Sequence, residues 1–103
     1  MLANKIPPVH PGEVLLEEFL KPWGLSQNRL AHHMGITTNR LNEVVRGRRG
    51  ITGDTALRLA RATNTTPEFW LNLQALYDLE TAKDELGTRL EREVTPVKEA
   101  VAN

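Results

Sequence analysis

The sequence predicts an all-α domain of five helices, and three observations carry that reading. Apolar residues recur at helical spacing along the chain, and no alternating Val/Ile/Thr-rich run is long enough for a strand. Residues that favour helix starts and ends fall between the apolar stretches. Residues 27–46, QNRLAHHMGITTNRLNEVVR, place Leu30, Met34, Ile36, Leu41 and Val44 at apolar positions, with Ala31 small and Gly35 opening a turn. Two helices that cross steeply over a short turn need a small residue at the crossing and a turn residue that tolerates positive φ. This is a helix-turn-helix pattern, and double-stranded DNA is the first partner it implies.

The first helix is expected from Pro11 to about Lys21. Pro11 suits a first helical position, Glu13, Glu17 and Glu18 lie toward the positive end of the dipole, and Val14, Leu15, Phe19 and Leu20 form the apolar stripe. Pro22 and Gly24 are expected to end it. Ser26 caps a second helix that stops at Gly35, and Thr37 caps a third from Thr38 to Arg46, closed by Gly47. GRRGI, residues 47–51, reads as a loop. Thr52 caps a fourth helix to about Thr63 with Ala56, Leu59, Ala60 and Thr63 on one face, and Thr66-Pro67 opens the fifth and longest, EFWLNLQALYDLETAKDEL. The expected organisation is an arm over residues 1–9, a domain over 10–94 and a flexible tail from Thr95 to Asn103, where the periodicity fades.

At 103 residues the chain has room for one small core. It contains no cysteine, which excludes disulfides, thiolate metal sites and thiol catalysis. The opening MLANKIPPVHPGE has no apolar stretch of the kind an export signal needs, and no run of about 18 apolar residues occurs, so a soluble cytoplasmic, nucleoid-associated protein is expected. The formal net charge is zero, but it is unevenly placed. Residues 26–63 carry seven arginines against Glu43 and Asp54, a net of +5, whereas residues 64–103 carry a net of −4. A basic middle and an acidic end predict one face that meets phosphate and another that repels it.

In a helix-turn-helix the second helix enters the major groove, and its outward residues read base edges while its neighbours grip the backbone. Removing the core positions leaves Thr38, Asn39, Asn42 and Arg46 as base readers: Asn suits adenine, Arg guanine, and Thr the thymine methyl. Ser26, Gln27 and Thr37 at helix starts, with Arg40, Arg48 and Arg49, are the expected phosphate contacts. The competing reading is an ordinary solvated helix face, with Glu43 paired to Arg40 or Arg46. Arg58 and Arg61 fit either phosphate or an exposed face equally well. His32 and His33 are adjacent, so they point about 100° apart, and His10 is isolated; no metal site or cofactor is expected. No catalytic constellation is visible, so an enzyme is not expected. Phe69, Trp70, Leu73, Leu76 and Tyr77 belong to a helix with more apolar residues than one side can hold, and a homodimer interface is the expected use of the surplus. A twofold dimer would set two recognition helices about 34–36 Å apart on a palindromic operator. The bland alternative is that the same residues are intramolecular core.

The segments HPGEVLLEEFL (His10 to Leu20), GITGDTALRLARA (Gly50 to Ala62) and PEFWLNLQALYDLETA (Pro67 to Ala82), with the helix-turn-helix between them, resemble the HigA-type, or VapI-like, antitoxins of the lambda-repressor-like class. The resemblance covers roughly residues 8–82. It implies a five-helix DNA-binding domain with a C-terminal dimerisation helix, repression of its own operon, and binding of a HigB-like toxin that cleaves mRNA. It does not fix the surface that meets a toxin; the acidic end, Glu80, Asp84, Glu85, Glu91 and Glu93, is the first expectation from charge, and Glu13, Glu17 and Glu18 the next. Gly53 departs from the resemblance, since many relatives have Pro there. The alternatives are a stand-alone repressor of phage or metabolic genes without a toxin, and an interaction module that has lost DNA; Arg40, Arg46, Arg48 and Arg49 weigh against the second.

Overall fold

The structure is a computed structural model that describes residues 7–98. Six helices follow one another: α1, continuous through Pro11–Leu15, Leu16–Leu20 and Lys21–Trp23; α2, Gln27–Met34; α3, Thr38–Val45; α4, Gly53–Thr63; α5, Pro67–Leu86; and α6, Arg89–Glu93. The described residues contain no strand. The five expected helices are present, and α6 is an additional turn beyond Gly87. Residues 1–6 of the expected arm and 99–103 of the expected tail lie outside the described residues.

Side-chain caps set the helix starts. Ser26, Thr37, Thr52 and Thr66 each accept a hydrogen bond from the backbone N–H three residues on, at 3.1–3.3 Å. His10 serves α1 in the same way, its Nδ1 accepting from the Gly12 N–H at 2.9 Å. Each cap satisfies a donor that the first helical turn leaves free.

Pro22 does not end α1, contrary to expectation. The helix runs through it to Trp23 and turns at Gly24, because residues Leu16–Leu20 widen into a π turn in which the Lys21 N–H bonds the Leu16 carbonyl. In a regular α-helix the Pro22 ring would collide with the carbonyl four residues back, and the wider turn relieves that conflict.

The core is assembled from one stripe of each of the first five helices. Leu15 and Leu20 come from α1, Leu30, Ala31 and Met34 from α2, Leu41 and Val44 from α3, Ala56, Leu59 and Ala60 from α4, and Trp70 from α5, joined by Ile51. Trp70 is fully enclosed, with its indole N–H donating to Thr65 Oγ1 at 2.8 Å. It is the only described residue of α5 that is buried, so the rest of that roughly 30 Å helix lies at the surface. No buried side-chain polar atom among the described residues lacks a partner.

Gly12 explains how α1 approaches the third helix. A Cβ at this position would fall 1.9 Å from the Val44 carbonyl oxygen. Any side chain there would force the two backbones apart.

Candidate nucleic-acid interface

The turn between α2 and α3 is closed by Gly35, which adopts φ +71 and donates its N–H to the His32 carbonyl, while Ile36 donates to Ala31. A left-handed residue is needed here, and glycine takes it without strain. Arg58, on α4, fastens the same turn by donating to the Met34 carbonyl at 2.9 Å.

With α3 seated by Leu41 and Val44, which are fully buried, its outward side carries Thr38, Asn39, Asn42 and Glu43, with Arg46 at the C-cap. Thr38 and Asn39 are exposed, Asn42 and Glu43 half-buried and Arg46 exposed. Two of the expected base readers are held by α2. Thr38 Oγ1 donates to Asn28 Oδ1 at 2.6 Å, and Asn42 Nδ2 donates to Gln27 Oε1 at 3.0 Å. These bonds fix rotamers before any ligand arrives. Asn42 keeps its carbonyl oxygen and one N–H, which is the pair an adenine edge requires. Gln27, expected on phosphate, thus also holds an expected reader, and Asn28, which sequence reading missed, holds another.

The expected phosphate contacts divide. Ser26 and Thr37 are helix caps and remain exposed. Arg48 is exposed, and no ion pair engages it among the described residues. Arg49 is tied to Glu43, its Nε donating to Oε1 at 2.9 Å, so Glu43 pairs with neither Arg40 nor Arg46. Arg40 is turned toward α4: its Nη2 donates to Asp54 Oδ1 and to Thr55 Oγ1, both at 2.8 Å. Asp54 also accepts from Arg58 Nε at 2.9 Å. Hydrogen bonds from Arg40 first, then Arg58, hold the Asp54 carboxyl below the usual carboxylate range. Arg40 and Arg58 thus join recognition helix, turn and α4 through one carboxylate. Asp54 and Arg58 form a readable i,i+4 pair, but the link to Arg40 spans 14 positions and no local pattern announces it.

The loop after α3 is held from both ends. The N–H groups of Arg48 and Arg49 donate to the Glu43 carbonyl, and the Ile51 N–H donates to Gln74 Oε1 on α5 at 2.7 Å. His10 lies beside Gly47 and makes an edge contact with Tyr77, ring centroids 4.9 Å apart. Burial pushes the His10 imidazole below its ordinary value, an effect the nearby Asp78 carboxylate partly offsets.

Of the five residues expected at a dimer interface, four keep surface and one does not. Trp70 is a core residue with no exposed area, so it has none to offer a partner. Phe69 sits in an aromatic group with Phe19, centroids 6.4 Å apart, while Trp23 stacks edge-on against Phe19 at 5.3 Å. Leu73, Leu76 and Tyr77 line an apolar groove of about 390 Å³ whose other wall is Pro7, Pro8, Val9 and Val14.

Comparison with known proteins agrees with this geometry. The helix-turn-helix family matches residues 16–70. Virulence-associated protein I of Dichelobacter nodosus is 50% identical over 80% of this chain and 76% of its own length. An addiction module antidote protein of the HigA family from Coxiella burnetii superposes with a TM-score of 0.84 at 51% identity, covering 89% of this chain and all of that one. The Pseudomonas aeruginosa antitoxin HigA, solved with the higBA promoter, gives a TM-score of 0.83 at 41% identity over 87% of this chain and 98% of that one. The matched family is a helix-turn-helix family, and the two solved relatives are antitoxins of the HigA type, which is not an enzyme class. No helix among the described residues is long and apolar enough to cross a membrane. The chain belongs to the helix-turn-helix family and, within it, to the HigA-type antitoxins.

Proposed function

We propose that this protein is the antitoxin of a type II toxin–antitoxin module, a dimeric autorepressor that binds a palindromic operator and neutralises a HigB-like, mRNA-cleaving toxin. The observation that carries the DNA half is the recognition face itself. Asn39 is exposed on α3, Thr38 and Asn42 are held in fixed rotamers by Asn28 and Gln27, and Arg46 and Arg48 flank them without an acidic partner among the described residues. In this reading Thr38, Asn39, Asn42 and Arg46 read bases, while Ser26, Gln27, Thr37, Arg48 and Arg49 lie along phosphate. Arg40 acts indirectly, by fixing α3 on α4.

The promoter-bound Pseudomonas aeruginosa relative supports an operator as the DNA partner. Dimerisation uses the surface of α5, with Phe69, Leu76 and the half-buried Leu73 and Tyr77, and excludes Trp70. The protein performs no catalysis of its own and acts in the cytoplasm, at the nucleoid. The acidic end, Glu80, Asp84 and Glu85 on α5 with Glu91 and Glu93 on α6, is the first surface to test for a basic toxin.

The test of the toxin half is intact-complex mass spectrometry of the chain purified from its own host. A stoichiometric small protein that arrests growth when expressed alone is the expected result. A bare homodimer from cells that express the module would leave a stand-alone repressor.

A further inference from the structure

We infer that Gln74 on α5 is a positioning residue for DNA binding, because it sets the loop that presents Arg48 to the phosphate backbone. This rests on the DNA reading above and adds to it a residue that lies outside the helix-turn-helix.

The loop of residues 47–51 is anchored at its start by the end of α3, where the Glu43 carbonyl accepts from the N–H groups of Arg48 and Arg49. Its far end has a different anchor. The Ile51 N–H donates to Gln74 Oε1 at 2.7 Å, and Gln74 Nε2 donates in turn to Asp78 Oδ1 at 2.9 Å, which fixes which way the amide faces. A Cβ on Gly50 would come within 3.3 Å of the Gln74 amide, so the loop backbone rests directly on this side chain. Ile51 is itself buried, and losing the Gln74 acceptor would leave its N–H without that partner beside the core. Arg48 sits at the first anchor, three residues before the second, and the two together set where it carries its charge.

An unrelated structural role, the satisfaction of one N–H and nothing more, predicts a different outcome, and a double-mutant cycle on Arg48 separates the two. The probes are a duplex taken from the region upstream of the gene and a shuffled duplex of equal length, titrated over a range of salt. Gln74→Met keeps the side-chain volume and removes both polar ends. It is expected to weaken binding to both duplexes about tenfold and to reduce the salt slope by about one. Adding Gln74→Met to Arg48→Ala is expected to cost little more than Arg48→Ala alone. The paired exchange Gln74→Glu with Asp78→Asn reverses the donor and acceptor between the two side chains, keeps an acceptor for Ile51 and leaves the net charge unchanged. It is expected to restore binding.

Wild-type affinity in Gln74→Met, or losses from Gln74→Met and Arg48→Ala that multiply, would overturn the positioning role while the repressor reading stands. Failure of the wild-type chain to prefer the upstream duplex would overturn the repressor reading itself.

Discussion

Arg40 on the recognition helix donates to Asp54 on α4 at 2.8 Å, and this contact ties α3 to α4. The same carboxylate oxygen receives Arg58, which reaches on to the Met34 carbonyl in the turn. Both partners of the pair are partly exposed, so its contribution to global stability is small and salt-sensitive. Its effect lies in orientation. Asp54→Ala is expected to weaken operator binding more than it lowers the thermal midpoint, and to weaken shuffled DNA least. Competitive titration on the two duplexes beside a melting curve checks this.

Substitutions at Asn39 and Arg48 are expected to separate reading from gripping. Asn39→Ala is expected to cost about 1–3 kcal/mol on the operator and much less on shuffled DNA, whereas Arg48→Ala weakens both alike. Equal losses on the two duplexes for Asn39→Ala would remove Asn39 from the readers.

Gly12 and Gly24 offer a contrast between a close approach and a backbone angle. Gly12→Ala puts a methyl group into the Val44 carbonyl and is expected to destabilise the fold by about 3 kcal/mol, measured by chemical denaturation. Gly24 adopts φ +59 with nothing within 4 Å of where a Cβ would sit, so Gly24→Ala is expected to cost only about 1–2 kcal/mol of backbone strain.

Gly53 is the reverse case. It occupies the first position of α4, a Cβ there meets open space, and the preceding Thr52 is extended. Gly53→Pro is therefore expected to stabilise the chain by about 0.4–1 kcal/mol, seen as a higher melting temperature with unchanged DNA affinity.

His10 makes stability depend on acidity. Its Nδ1 must be unprotonated to accept the Gly12 N–H, and burial lowers its pKa in the folded chain. The unfolded state therefore takes up the proton first. The stabilisation is complete above the ordinary histidine value of 6.5 and is lost as pH falls below it, through the folded pKa. Melting curves from pH 7.5 to 5 are expected to show a falling midpoint. His10→Asn, which keeps a capping acceptor that does not titrate, is expected to flatten the dependence.

The helices and their caps were readable because they are local: Ser26, Thr37, Thr52 and Thr66 lie three residues from the N–H each one accepts. The helix-turn-helix was readable for the same reason, since Ala31, Gly35 and Ile36 meet within a few residues. Pro22 misled because its usual effect depends on a regular helix, and the π turn before it removes the clash. Trp70 misled because composition counts apolar residues on α5 without showing which of them faces the core. The charge of Arg40 points to phosphate, while its partner lies 14 positions away. The Gln74 contact to Ile51 spans 23 positions, and nothing in the sequence sets that glutamine apart from any other polar residue on a helix. Gly12 left a faint signal, a glycine in the first turn of a helix where a better helix former would be expected.

Operator recognition is tested most directly by a fluorescence-polarisation titration of the full chain on the duplex upstream of its own gene and on a shuffled duplex, at fixed physiological salt. Tighter binding to the upstream duplex by about 10³-fold or more is expected, with the preference cut about 5- to 150-fold in Asn39→Ala. Equal affinity for the two duplexes would contradict it.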